Sequence, residues 1–294
     1  MQVYVTIERN ECQYPEASFD AFCEVKMRIK KKRFSFLEKC EKFCYDFFME
    51  ETEEEERFSR TQIIFGKENM SRLAKARVAI FGLGGVGGYV LEALARSGIG
   101  NFDLIDSDRI CISNFNRQIL ATSKTLGEFK ADAARERVLS INPNANVNAR
   151  KVFFLPENSG EFDFKNYDYV VDAVDTVSAK IQIVLQAQSA GAKVISCMGT
   201  GNKIAPALLK VADIYETSVC PLARVMRHEL KKRGVKNLKV VFSTEKPLAH
   251  VEVAQSENAQ NENARAVVAS TAFVPSVAGL LIASEIVRGL LKKQ

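Results

Sequence analysis

The sequence has little that could hold a structural metal: two histidines, His228 and His250, and no C-x-x-C pair among its seven cysteines. Two isolated imidazoles without paired thiols exclude a structural zinc site of the usual kind. The cysteine count is odd (Cys12, Cys23, Cys40, Cys44, Cys111, Cys197 and Cys220) and no secretory signal precedes them, so a reduced, cytoplasmic setting is expected. No long uncharged apolar run occurs. The longest apolar segment, "GLLIASEIVRGLL" from Gly279, is broken by Glu285 and Arg288, and it reads as a packed helix with no stable membrane span. No internal repeat is visible, and the formal charge of +5 is too small to name a partner, so its distribution matters more.

What is present falls into unequal parts. Residues 1–48 carry "VKMRIKKKR", with six basic residues between Lys26 and Arg33, and then the aromatic-rich "CEKFCYDFFME". This stretch is expected to be a poorly ordered, dispensable extension, the next methionine, Met49, reading as a natural start. A basic nucleic-acid-binding arm is the alternative. From Arg77 onward strands and helices alternate: "RVAIF" (77–81), a helix over 86–97, "NFDLID" (101–106), a helix from Lys130 that stops before Pro143, then strands in 145–154 and 167–175. A helix over 180–191 and a strand over 193–199 follow. Such alternation predicts an α/β fold, Rossmann-like and doubly wound, with a largely parallel sheet and helices on both faces. After residue 205 the rhythm changes to strands over 208–217 and 238–243 around a basic helix, read as a C-terminal α+β extension. A polar loop over 255–266 comes next. The expected organisation is therefore 1–48, a nucleotide-binding core over 49–205, and a substrate-binding segment of the same domain over 206–294.

Gly82, Gly84 and Gly87 stand at the G-x-G-x-x-G spacing between a strand and a helix, with Gly85 inside the same turn. Glycine there permits a tight turn and lets a phosphate approach the free N–H groups of the helix N-terminus. Asp106 ends the next strand, where a carboxylate can accept hydrogen bonds from ribose hydroxyls. These features predict an adenine nucleotide but do not separate NAD from ATP. Downstream, Asn114, Arg117 and Lys130 bring an amide and two cations to the phosphate end. A lone lysine or arginine reads as a solvated charge, but the set suits stabilisation of charge on a reacting phosphate better than hydride transfer. "YDYVVDAVDT" adds Asp172 and Asp175 at a strand's carboxyl end. One is expected to cap the next helix and the other to hold Mg²⁺ bridging phosphates, with Asp175 favoured for the metal.

The elements "RFSRTQIIFG", "GLGGVGG", "LIDSDRICISNFNRQ", Lys130 and "VVDAVDT" resemble the ThiF/MoeB/HesA adenylating family, relatives of the ubiquitin-activating enzymes. The resemblance covers about residues 57–200. It implies attack of a substrate carboxylate on the α-phosphate of ATP, giving an acyl-AMP and pyrophosphate. It also implies that Asp106 and Asp108 lie at the nucleotide, that Asn114, Arg117, Gln118 and Lys130 contact ATP, and that Asp175 holds Mg²⁺. Arg60 in "RFSR" corresponds to an arginine that reaches ATP across a homodimer interface.

Beyond Cys197, the patterns G-x-x-x-K-I-x-P, D-I-x-x-T-S-x-C-P-L-A-R-x-x-R and V-x-F-S-x-E-x-P are similar to a subgroup acting on tRNA that carries threonylcarbamoyladenosine. The resemblance implies activation of the threonyl carboxylate and ring closure with net loss of water; the alternative substrate is the C-terminal glycine of a ubiquitin-like sulfur carrier. A sulfur-transfer protein is a further expected partner. Basic residues at Arg224, Arg227, Lys231, Lys232 and Arg233 suit an RNA backbone, or simply a solvated helix face. Cys220, before a proline and a basic helix, is a candidate acyl-accepting thiol, although intramolecular ring closure needs none. Cys111 and Cys197 read as packing residues.

Overall fold

The structure, a computed structural model, describes residues 56–249 and 268–291. Residues 1–48 and the polar loop at 255–266 lie outside the described residues. The core is a seven-stranded sheet in the order β3-β2-β1-β4-β5-β7-β6. Its strands are β1 (Arg77–Phe81), β2 (Asn101–Ile105), β3 (Asn146–Arg150), β4 (Tyr169–Asp172), β5 (Lys193–Cys197), β6 (Leu209–Asp213) and β7 (Lys239–Ser243). All neighbours pair in parallel except β6, which runs antiparallel to β7. The helices are α1 (Ser59–Lys75), α2 (Gly87–Arg96), α3 (Lys130–Ile141), α4 (Val177–Ala190), α5 (Pro221–Lys232) and α6 (Phe273–Leu290).

Burial on both faces explains why the central strands read as continuous apolar runs. In β1, Val78 and Ile80 pack into one core with α2, α3 and α6, while Ala79 and Phe81 face the other. On that second face Phe154 and Phe164 close on Phe81 at ring-centroid distances of 4.9 and 5.6 Å. Hence β3 ends at Arg150, short of the expected 154: the chain leaves the sheet edge and buries Phe154 in this cluster.

A second strand boundary also has a local cause. The strand expected over 208–217 stops at Asp213, because its carboxylate accepts from the amides of Tyr215 (2.9 Å) and Leu238 (2.9 Å) and bends the chain into a 3-10 turn. The segment read as a C-terminal α+β extension of the same domain supplies β6 and β7 to the one sheet. Helix α6 is long and apolar enough to cross a membrane by length and composition, with half of it buried in the protein. A Cβ on Gly279 would meet the Val86 carbonyl oxygen at 2.5 Å, so this glycine lets α6 lie directly on the start of α2.

Candidate active site

A cavity of about 590 Å³ opens at the carboxyl edge of the sheet, lined by the segments that follow β1, β2, β4 and β5. Strand order reverses between β1 and β4, and ligands of doubly wound folds bind beside such a reversal. The volume falls within the range of small-molecule sites, about 300–1,000 Å³.

The glycines of the turn have different duties. Gly82 has φ +88°, and a Cβ there would lie 2.7 Å from the Ala173 carbonyl oxygen. A Cβ on Gly87 would lie 1.8 Å from the Gly82 oxygen, so Gly87 closes the turn against α2 and does not line the cavity. Gly84 and Gly85 do line it; the nearest atom to a Cβ on Gly84 would be the Gln118 Nε2 at 3.8 Å. The turn at Gly84 therefore faces open space, with the Gln118 side-chain amide at its edge.

Asp106 anchors the floor. Its carboxylate accepts from the Leu83 amide (2.7 Å) and the Asp108 amide (2.8 Å). Burial pushes this carboxyl above its ordinary value, and Lys130 together with the two amides offsets part of that effect. The Lys130 side chain is buried, and its ammonium lies 2.7 Å from the exposed carboxylate of Asp108. Asn114 ends a short 3-10 turn, Ile112–Asn114, where its Oδ1 accepts from the Cys111 amide at 3.2 Å. Arg117 donates to the Ser113 carbonyl (2.8 Å) and to Asn116 Oδ1 (2.9 Å). Gln118 is buried on the cavity wall, and its Oε1 has no hydrogen-bond partner among the described residues. The site thus offers two cations, a desolvated carboxylate and an open acceptor around one glycine turn.

The two aspartates after β4 part company. Asp175 is exposed on the cavity, its carboxylate touched by the Thr176 hydroxyl at 3.4 Å. Asp172 neither lines the cavity nor caps α4; it is buried in an ion pair with Lys180 at 2.9 Å. No cluster of three or more potential metal ligands occurs among the described residues. One exposed carboxylate on the cavity fits Mg²⁺ bound through nucleotide oxygens better than a protein-built cage.

The match to the ThiF family model spans residues 58–294. The chain belongs to the ThiF family. It is 40% identical over 240 residues to the tRNA threonylcarbamoyladenosine dehydratase of Bacillus subtilis, covering 80% of this chain and 94% of that protein. It is 35% identical over 250 residues to the Haemophilus influenzae protein of the same name, covering 82% and 95%. Among solved structures it is similar to Escherichia coli tRNA N6-threonylcarbamoyladenosine dehydratase, TcdA, in complex with ATP. That match has a TM-score of 0.71 and 30% identity, over 80% of this chain and 94% of that one.

Other expected site residues of this ThiF-family chain are placed as follows. Arg60 is exposed on α1, whose helix is kinked at Gly66, and it is not part of its own chain's cavity. On α5, Arg224 and Lys231 are exposed and edge a shallow concavity with His228. Lys232 and Arg233 flank Glu229 at 3.3 and 2.7 Å. Arg227 is half-buried and donates to the Thr217 carbonyl at 3.0 Å and to the Thr217 hydroxyl, so it ties α5 to the preceding turn. Cys220 is buried in the core formed by α4, α5 and β7, with Gly199 of the cavity wall against its Sγ. Burial pushes the Cys197 thiol up to about 12. Cys111, expected to be a packing residue, is exposed; its hydrogen bond with Ser113 at 3.1 Å lowers its pKa.

Sequence reasoning missed the residues that brace the wall. Lys203 is buried and donates to the Gly199 carbonyl at 2.6 Å. Glu245 accepts from the amides of Ile204 and Ala205 at 3.0 and 2.9 Å. Both sit in patterns that stood out in the sequence (K-I-x-P and F-S-x-E-x-P), but the patterns alone assign no contact.

Proposed function

We propose that the protein is an ATP-dependent enzyme that dehydrates N6-threonylcarbamoyladenosine in the anticodon loop of tRNA. The observation that carries this reading is the convergence of Asp106, Asn114, Arg117, Lys130 and Asp175 on one cavity behind a glycine turn. An oxygen of the threonyl carboxylate attacks the α-phosphate of ATP; pyrophosphate leaves and an acyl-AMP forms. Intramolecular attack on the activated carbonyl then closes the ring and expels AMP, so that the nucleoside has lost one water overall. Asp106 holds the ribose, while Arg117 and Lys130 stabilise charge spreading over the phosphates. Asp175 would hold Mg²⁺, which neutralises phosphate charge when bound. The buried Cys220 has no part in this route.

Arg224 and Lys231, exposed on α5, would meet the RNA backbone. Arg60 would complete the site of a second copy in a homodimer, since it lies outside the cavity of its own chain; the exposed Ile63 and Ile64 beside it supply an apolar surface for such a contact. Mixing Arg60→Ala with Asp175→Ala protein should restore about a quarter to a half of the wild-type activity per active site if Arg60 acts in trans, and none if it acts in cis. The reading itself is tested by ATP–pyrophosphate exchange. Exchange should be stimulated by tRNA bearing the modified adenosine, and Arg117→Ala or Asp175→Ala should lower it by about 100-fold or more in folded protein. Stimulation by a ubiquitin-like carrier instead of tRNA would overturn the substrate, and wild-type turnover in both variants would overturn the site.

A further inference from the structure

Lys180 lies in the first turn of α4 with no exposed surface, and its partner Asp172 is equally buried. Its ammonium meets three acceptors: Asp172 Oδ2 at 2.9 Å, the Cys197 carbonyl at 2.8 Å and the Val174 carbonyl at 3.1 Å. An ammonium has three donors, so all are satisfied. The Ser196 hydroxyl donates to the same Asp172 oxygen, while Asp172 Oδ1 has no partner among the described residues. The two carbonyls lie past the last β4–β5 residue pair, Asp172 with Ser196. Strand pairing therefore no longer holds these segments together there.

Stability alone does not account for such a pair. Burying both ions costs several kcal/mol each, and an apolar pair of similar volume is often as stable or more so. What Lys180 provides and an apolar side chain does not is a three-way tie between the ends of two strands. Val174 and Cys197 line the cavity, and each is followed by a segment of its wall, Asp175–Thr176 and Met198–Gly201. The tie also supports the glycine turn, because Gly82 packs on the Ala173 carbonyl, one residue before Val174.

We propose that Lys180, oriented by Asp172 and Ser196, is a positioning residue that fixes the Asp175 carboxylate against the 198–201 wall for the metal–triphosphate group. The inference rests on the nucleotide site argued above. It predicts that loss of the tie loosens metal binding more than nucleotide binding.

The test uses the full-length protein with a non-hydrolysable ATP analogue and Mn²⁺, followed by electron paramagnetic resonance. Asp172→Asn/Lys180→Met removes both charges together. Its affinity for the analogue without metal should stay within about twofold of wild type, while Mn²⁺ binding to the nucleotide complex weakens by about 10-fold or more. The kcat for pyrophosphate exchange should fall by a similar factor with little change in KM for ATP, as for an interaction realised in the transition state. A folded double variant with wild-type Mn²⁺ affinity and kcat overturns the proposal. Should the double variant fail to fold, Ser196→Ala, which keeps both charges, decides: Mn²⁺ affinity lowered by about threefold or more supports the tie, and wild-type affinity overturns it. Failure of the wild-type protein to bind the analogue at all would overturn the nucleotide site itself, a result distinct from either.

Discussion

At the scale of single residues, Asp106 shows how one side chain serves fold and site together. Two backbone amides fasten it beneath the glycine turn, and its burial raises the free energy of its charged form. A carboxyl whose folded-state pKa is raised stabilises the fold fully below its unfolded pKa and loses that contribution as pH climbs through the folded value. The stability of wild type minus that of Asp106→Asn should therefore fall as pH rises out of the ordinary carboxylate range. Chemical denaturation across that window checks it; a difference that grows with pH would contradict the burial argument. The glycines make a sharper contrast. Gly87→Ala forces a Cβ to 1.8 Å from the Gly82 oxygen and should cost several kcal/mol, on the order of other gross core overpacking. Gly84→Ala meets nothing closer than 3.8 Å and should melt within a few degrees of wild type while weakening ATP by about 10-fold or more, because its methyl occupies the cradle. Thermal melts and calorimetry separate the two.

At the scale of elements, α5 was legible as a basic helix but its duties were not. Sequence spacing cannot tell a free arginine from one committed to a neighbour. The Arg227 guanidinium is bound to Thr217, ten residues earlier in the chain and directly after the 3-10 turn Ile214–Glu216. Arg227→Met should lower stability by about 1–3 kcal/mol, since it leaves a buried Thr217 acceptor unpaired. Lys231→Glu should leave the melting temperature near wild type, weaken tRNA binding and reduce its salt slope by about one. Equal effects of the two substitutions on tRNA binding and on stability would contradict this division. The same limit applies to Lys180. A lysine early in a helix reads as a surface charge, because its acceptors come from β4 and β5 and meet only when the sheet forms. The glycine turn, Asp106, Asn114, Arg117 and Lys130 were legible because local spacing and a strand–turn–helix context bring them to one edge. The ends of β3 and β6 were not, because burial of Phe154 and capping by Asp213 are tertiary events that override strand propensity.

At the scale of the whole molecule, a ThiF-family sheet carries the nucleotide edge between β1 and β4, and the β6–α5–β7 segment extends that sheet beside it. Leu222 of α5 lines the nucleotide cavity, while Arg224 and Lys231 of the same helix face the outside. One helix therefore joins the adenylation site to the basic surface proposed for RNA. The central claim is that both act on one substrate, the threonyl group of a modified tRNA adenosine. The most direct measurement is mass spectrometry of anticodon-loop nucleosides after incubating threonylcarbamoyladenosine-bearing tRNA with the enzyme, ATP and Mg²⁺. The account predicts a nucleoside lighter by one water, formed by wild type and absent with Asp175→Ala. An unchanged nucleoside, in the presence of active ATP–pyrophosphate exchange, would contradict it.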